Sequence, residues 1–387
     1  MRILSVHNSY QIRGGEDESR QTEENLLRSH GHQIETYEIS NDLISDMSSI
    51  QVAVRTLWSQ KTYQDVSQIL KKDKYDLVHV QNFFPLISPS IFYAVKSANV
   101  PVIQTLRNYR LLCPNALFFR DGGVCEDCLG KVIPYPGVVH SCYRDNMGAS
   151  TVTASMLVLH RFLRTWQNKI DGYIALTQFA QSKFVEGGFP AEKIYVKPNF
   201  VDPDPGVGDG SGGYALFVGR LSVEKGLDTL LQAWELLGYS IPLKIIGDGP
   251  LAEEVKAATQ ESNRVEWLGR LPVHEVYDLM GRARFLVFPS KWYETFGRVA
   301  VEAFAKGTPV IASKIGAIAE IVDTGRTGLL FESGNPSDLA AKVNELISDE
   351  HRLAQMRVQV RDEFVNKYTA EKNYNALMDI YTKHLAR

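Results

Sequence analysis

The sequence is short of most features that would place it quickly. No apolar run approaches the roughly 18 residues that a membrane-spanning helix needs, although 44% of the 387 residues are hydrophobic. The formal net charge is only −3, so no whole-protein field draws the chain to nucleic acid, and no nucleic-acid partner is expected. The start, MRILSVHNSY, holds too short an apolar stretch for a secretion signal. A cytoplasmic location is therefore expected. Cysteine is scarce, with four residues, and reducing surroundings argue against structural disulfides. Internal repeats, low-complexity tracts and paired-Asp metal motifs are not found in the sequence.

What is there is an alternation. Strand-like runs (RILSVH, QIETYEI, DLVHVQ, VPVIQTL, GYIALT) are separated by helix-like stretches such as ESRQTEENLLRSHG. This order predicts a parallel, doubly wound α/β sheet. Near residue 202 the pattern breaks at FVDPDPGVGDGSGG, which reads as a linker. It restarts with YALFVG, PLKIIG, VEWLG, ARFLVFPS, TPVIAS and TGLLF. The expectation is two Rossmann-like domains, 1–203 and 211–371, with a cleft between them as the default ligand site.

The second half carries the chemistry. In YALFVGRLSVEKG a strand ends at Gly219, which would let a ligand approach the backbone closely. Arg220 offers a planar fork to phosphate oxygens and Lys225 a mobile point charge. Taken alone, this loop reads more readily as a βα turn with two solvated cations. ETFGRVAVE changes the weighing, because it sets Glu294 and Glu302 on either side of a loop-to-helix junction. Backbone N–H groups near Thr295, Phe296 and Gly297 would cap a helix N-terminus, a ready anion site. Glu302 lies too far inside that helix to cap it. In an apolar helix it needs a partner, and a ribose diol can donate two hydrogen bonds to it. Glu294 precedes the helix and can face a reacting sugar. Two surface acids are the plainer reading.

GRLSVEKG, IIGDGP, FPSKWYETFGRVAVEAFAKGTPVIAS and GAIAEIVDTGRTGLLF resemble the family 4 glycosyltransferases, which are retaining, nucleotide-sugar-dependent enzymes with the GT-B fold. The likeness runs from about residue 214 to 345 and is looser in the first half. It implies that Arg220 and Lys225 bind the donor diphosphate, Glu302 the ribose and Glu294 the donor sugar. It also places the base beside Gly269 and Arg270, and implies a last helix, 372–387, crossing back to the first domain. Catalysis in this arrangement needs no metal, because Arg220, Lys225 and helix N–H groups stabilise the charge developing on the departing phosphate.

In the first half, Gly14 and Gly15 follow the first strand and could admit phosphate or sugar to the backbone, beside the reading of a plain turn. Relatives often carry His where this chain has Arg107 and Gln81. His79, Arg107 and Asn108 are the acceptor-side candidates, although a His in DLVHV also suits a core. Cys113, Cys125, Cys128 and Cys142 fall within one insertion-like stretch, about 110–145. Their CxxC pair and loop-rich setting suit a structural zinc ion; small buried hydrophobes are the other reading. ASMLVLHRFLRTWQNK could touch a membrane surface or a lipid-linked acceptor, but reads more readily as a core helix. The function expected is sugar transfer to a glycan or glycolipid, possible peripheral membrane contact included. A phosphorylase, an epimerase or a silent nucleotide-sugar-binding module are the alternatives.

Overall fold

The computed structural model describes residues 1–11 and 14–385. Two compact units divide the chain. Unit 1 comprises Met1–Phe118, Cys125–Pro198 and Asn373–Arg387; unit 2 comprises Phe119–Val124 and Asn199–Lys372.

Unit 1 is built on strands β1 (Arg2–Ser9), β2 (Gln33–Ser40), β3 (Leu77–Asn82) and β4 (Val102–Leu106). The chain then passes through a small antiparallel hairpin counted with unit 2, β5 (Phe119–Arg120) and β6 (Gly123–Val124). Strands β7 (Gly172–Ala175) and β8 (Ile194–Val196) complete the sheet of unit 1. Its order is β2-β1-β3-β4-β7-β8, all parallel. Helices α1 (Gly15–Ser29), α2 (Ser49–Leu57), α3 (Gln60–Lys72), α4 (Ser90–Ser97), α5 (Tyr135–Val139), α6 (Met147–Phe162), α7 (Thr165–Asn168) and α8 (Gln178–Glu186) belong to this unit. Every residue of β3 and β4 is buried, as expected of a parallel sheet covered on both faces.

Unit 2 repeats the plan. Strands β9 (Ala215–Val218), β10 (Leu243–Ile246), β11 (Val265–Trp267), β12 (Phe285–Phe288), β13 (Val310–Ser313) and β14 (Gly328–Phe331) pair in the order β11-β10-β9-β12-β13-β14, again all parallel. Its helices are α9 (Leu227–Leu236), α10 (Ala252–Glu261), α11 (Val273–Arg282), α12 (Arg298–Ala305), α13 (Gly316–Ile321), α14 (Pro336–Ile347) and α15 (Glu350–Lys367). Trp234, Leu243, Ile245, Phe285 and Leu339 share one buried core. The strand order reverses between β9 and β12, and in unit 1 between β1 and β3. Ligands of such sheets bind at the carboxyl ends of the strands flanking this reversal.

The final helix, α16 (Ala370–Leu385), sets Leu377, Ile380 and Tyr381 into a core with Ile3, Leu77 and Ile103 of unit 1. The last two residues of the expected 372–387 helix, Ala386 and Arg387, lie outside the described residues. The glycine-rich stretch read as a linker is pinned down instead. The N–H groups of Gly208, Gly210 and Gly212 donate to the carbonyls of Lys306, Gly281 and Arg282. The reason is steric: a Cβ on Gly208 would lie 2.2 Å from the Gly281 backbone, so only glycine permits this approach.

Candidate donor and acceptor sites

Most of the donor candidates, Gly14, Gly15, Arg270 and Glu302 apart, gather on two loops of unit 2 that flank its strand reversal. The first follows β9, running through Gly219, exposed Arg220 and a short turn ending at Lys225. Gly226 closes it at φ 71°, where a Cβ would stand 1.9 Å from the Pro289 carbonyl oxygen. The second loop follows β12 and enters α12 through Gly297, also left-handed at φ 95°. Gly226 therefore lets the two loops touch, and that contact assembles the site. Behind them Gly247, at φ 136°, would place a Cβ 1.8 Å from the Gly219 carbonyl oxygen. The GDG stretch thus serves the packing of the first loop.

The loops deliver Lys225 to Glu294. The Lys225 ammonium donates to Glu294 Oε1 at 2.5 Å, and the same oxygen accepts from Ser290 Oγ at 3.0 Å and Trp292 Nε1 at 2.9 Å. The Lys225 Nζ lies 5.3 Å from the Trp292 ring centroid. Glu294 is buried but ringed by donors, as a carboxylate inside a protein must be. Ser290 and Trp292 were missed by the sequence reading. Only their place beside Glu294, at −4 and −2, could have marked them.

Glu302 is buried on α12, one turn beyond Arg298, whose Nε stands 2.8 Å from its Oε1. That pairing supplies the partner the apolar helix demanded. A ligand diol at Glu302 would share the carboxylate with Arg298, a residue the sequence reading did not single out. Arg270 is exposed after Gly269, whose carbonyl accepts from the Gly247 N–H at 2.8 Å. Thr295 and Phe296 lie immediately before the α12 cap.

Unit 1 places a second cluster at the carboxyl ends of β1, β3 and β4. Gly14 and Gly15 are exposed at the start of α1, where the Asp17 carboxylate accepts from the Gly14 N–H at 3.0 Å. Arg107 is buried, and its Nε and Nη2 both donate to Gln81 Oε1, at 2.9 and 2.7 Å. Gln81 in turn donates to Glu23 at 2.7 Å. Asn108 donates to the Tyr10 hydroxyl at 3.3 Å, and Tyr10 donates to Glu16 Oε2 at 3.2 Å. Burial pushes the Glu16 carboxyl upward, against the opposing charge of Arg107. Its Oε1 has no hydrogen-bond partner among the described residues. Arg107, Asn108 and Arg110 line a recess with Asn82 and Phe84. Glu16 and Tyr10 went unnoticed in the sequence, because nothing in GGEDES distinguishes one acid from its neighbours.

Two expectations are corrected here. His79 faces the core, not an acceptor. Its Nδ1 meets the Tyr381 hydroxyl and its Nε2 the Thr105 hydroxyl, both at 2.7 Å. Burial drives it down to about 4, so the ring is neutral. The four cysteines do not form a coordination sphere. Among the described residues no three His, Cys, Asp or Glu side chains are placed to hold a metal ion. Cys113 and Cys128 are buried, and Cys128 Sγ lies 3.8 Å from the Pro134 carbonyl oxygen. Burial, with Cys113, Cys142 and Cys125 nearby, pushes the Cys128 thiol up to about 12.

Two doubly wound parallel sheets, each with a strand reversal, place the chain in the GT-B class of α/β folds. Residues 208–363, all within unit 2, match the family described as "Glycosyl transferases group 1". An uncharacterized glycosyltransferase of Methanocaldococcus jannaschii is 38% identical over 175 residues, which are 45% of this chain and 49% of that protein. The chain thus spans about half the length of this curated relative. Among solved structures, Anabaena HepE in complex with UDP covers 99% of this chain and 100% of its own, with TM-score 0.69 and 20% identity. Sucrose-phosphate synthase of Thermosynechococcus elongatus covers 100% and 99%, with TM-score 0.74 and 16% identity. These likenesses extend over the whole chain and concern the fold. No helix among the described residues is long and apolar enough to cross a membrane.

Proposed function

We propose that this chain is a retaining glycosyltransferase that moves a sugar from a nucleoside-diphosphate sugar to a hydroxyl of a glycan or glycolipid acceptor. The synthesis it would serve is that of cell-surface polysaccharide or glycolipid. The observation that carries the reading is the Lys225–Glu294 pair, held at 2.5 Å where the two loops meet. A cation and a carboxylate are pre-assembled at the mouth of a helix N-terminus, with a buried Glu302 behind them. In this reading the diphosphate takes Lys225, Arg220 and the N–H groups at Thr295, Phe296 and Gly297. Glu302 receives the ribose hydroxyls, Glu294 the sugar hydroxyls, and the base lies beside Gly269 and Arg270.

The step is bond exchange at the anomeric carbon. Its bond to the diphosphate oxygen breaks with the electron pair on oxygen, and an acceptor oxygen bonds to the carbon and loses its proton. The charge gathering on the phosphate is met by cations and dipoles already in position, so they need no reorganisation. A UDP donor is favoured, because the fold neighbour HepE is seen with UDP. Gly14 and Gly15 of unit 1 would serve the donor with their backbone N–H groups, and Arg107 and Asn108 would present the acceptor. The place of action is the cytoplasm, with peripheral contact at the inner face of the membrane. Calorimetric titration with UDP, GDP, ADP and NAD, without added metal, tests the reading. Binding of one nucleoside diphosphate is expected; binding of none would leave a phosphorylase or a silent module.

A further inference from the structure

The solvent side of α6 is uncharged and partly apolar. Met147, Thr151, Ser155, Leu159 and Phe162 recur at helical spacing on its exposed face, and none is charged. A soluble surface helix normally turns charge to water. Here Phe162 is 85% exposed. Helices α2 and α5 both pack on α6 and carry exposed apolar side chains of their own. The former brings Ile50, 77% exposed, with Val54; the segment around the latter brings Val132, 75% exposed, with Val139. Hydrogen bonds fix the three segments together. Arg161 of α6 donates to the Lys131 and Val132 carbonyls at 2.6 and 3.1 Å, and His160 meets the Leu57 carbonyl at 3.1 Å. Ten of the 21 exposed large apolar side chains among the described residues lie on these segments. Such clustering goes beyond the scattered exposure that any protein surface shows.

The charge around α5 and α6 is mostly of one sign. Residues 131–169 carry five Lys or Arg against a single acid, Asp145, whereas the α2 side is mixed, with Asp46 before it and Lys61 paired to Asp65 at 3.1 Å. The chain as a whole is net negative, so the basic character is local. Lys131, Arg144 and Arg164 are exposed at its rim.

We infer that this face of unit 1 docks onto an anionic lipid surface, with Phe162, Val139 and Ile50 entering the headgroup boundary and Lys131, Arg144 and Arg164 meeting lipid phosphates. An apolar centre with a cationic rim is the chemistry of interfacial attachment, and it matches an anionic bilayer better than a second copy, because a two-fold contact would set like-charged rims against each other. The inference deepens the proposed function, since it selects a lipid-linked acceptor over a soluble one. The expectation that ASMLVLHRFLRTWQNK is a core helix with a solvated face holds only for its buried side.

Co-sedimentation of the full chain tests it, using phosphatidylcholine vesicles and vesicles of equal parts phosphatidylcholine and phosphatidylglycerol. Binding to the anionic vesicles is expected, weakened by salt. The Val139→Ser, Phe162→Ser double variant should bind at least about tenfold less. Replacing Lys131 and Arg164 with Ser should cost about fivefold for each cation on anionic vesicles, and little on neutral ones. These side chains are exposed, so the fold survives, and unchanged UDP titration of each variant checks that. Absence of binding to anionic vesicles, or variants that partition like wild type, would overturn the inference. So would self-association without vesicles that Phe162→Ser abolishes, because a second copy would then be the occupant. Vesicle binding is read without nucleotide and UDP binding without vesicles, so failure of the docking surface and failure of the donor site are separate results.

Discussion

Replacing Lys225 with Ala removes one of two groups that the structure has already brought together. Without nucleotide, the Lys225 ammonium neutralises Glu294 at 2.5 Å. A donor diphosphate would have to share that ammonium with the carboxylate. The loss on truncation is then the charged hydrogen bond to phosphate, roughly 1.5–3 kcal/mol, reduced by whatever the lysine gives up on leaving Glu294. At about 1.4 kcal/mol for each tenfold step, UDP affinity should fall by roughly 10- to 100-fold. The competition has a second consequence of opposite sign. Glu294→Gln keeps the shape but releases the ammonium, so UDP should bind as tightly as in wild type, or several-fold tighter, while turnover collapses. Calorimetry on the two single variants and the double variant forms a cycle, and the two changes should be strongly non-additive because the groups are in contact. If UDP binds Lys225→Ala within twofold of wild type, the diphosphate assignment is wrong. If Glu294→Gln loses UDP as Lys225→Ala does, the two residues act as one binding unit and the separate roles given to them fail.

Glu302→Gln should weaken UDP by about tenfold or more and erase the preference for UDP over 2′-deoxy-UDP; equal binding of both nucleotides by wild type would remove Glu302 from the ribose. Gly226→Ala forces a Cβ at φ 71° to within 1.9 Å of the Pro289 carbonyl oxygen, so it should cost more than about 1 kcal/mol in urea unfolding and impair UDP binding, whereas a neutral effect would mean that the two loops do not depend on this contact. His79, held neutral by burial at about 4 against an ordinary 6.5, favours the fold fully above pH 6.5 and progressively less as pH falls toward 4. At about 1.36 kcal/mol per pH unit, unit 1 should lose roughly 2 kcal/mol between pH 6.5 and 5, a loss that His79→Asn would abolish; hydrogen exchange of β3 amides reads it, and an unchanged pH slope in the variant would contradict it.

The sheets were legible in the sequence because a buried parallel strand has to be apolar along its whole length, and DLVHVQ, LKII and FLVF stand out against their polar surroundings. β8 escaped, since three residues followed by a lysine give no period to read, even though Lys197 is itself buried against Glu23 and Asn373. The glycine-rich stretch before β9, read as a linker or domain boundary, concealed its packing for a related reason. Composition registers that glycine is flexible, and has no means of registering that a missing Cβ also lets two backbones touch. The donor site was readable to the extent that its groups are charged and lie close in sequence. Glu294 and Glu302 drew notice because acids beside an apolar helix are anomalous, while Arg298, Ser290 and Trp292 are ordinary residues that the fold sets against those two acids. The acceptor side fared worse. His79 drew notice for its chemistry, yet its surroundings of Thr105 and Tyr381, 302 residues away in the chain for the latter, make it a core residue. Glu16, one acid among several in GGEDES, is set apart by its Tyr10 contact and by an Oε1 with no hydrogen-bond partner among the described residues. A sequence declares which groups are able to react, and the folded chain decides which of them lose their water and so acquire a reason to.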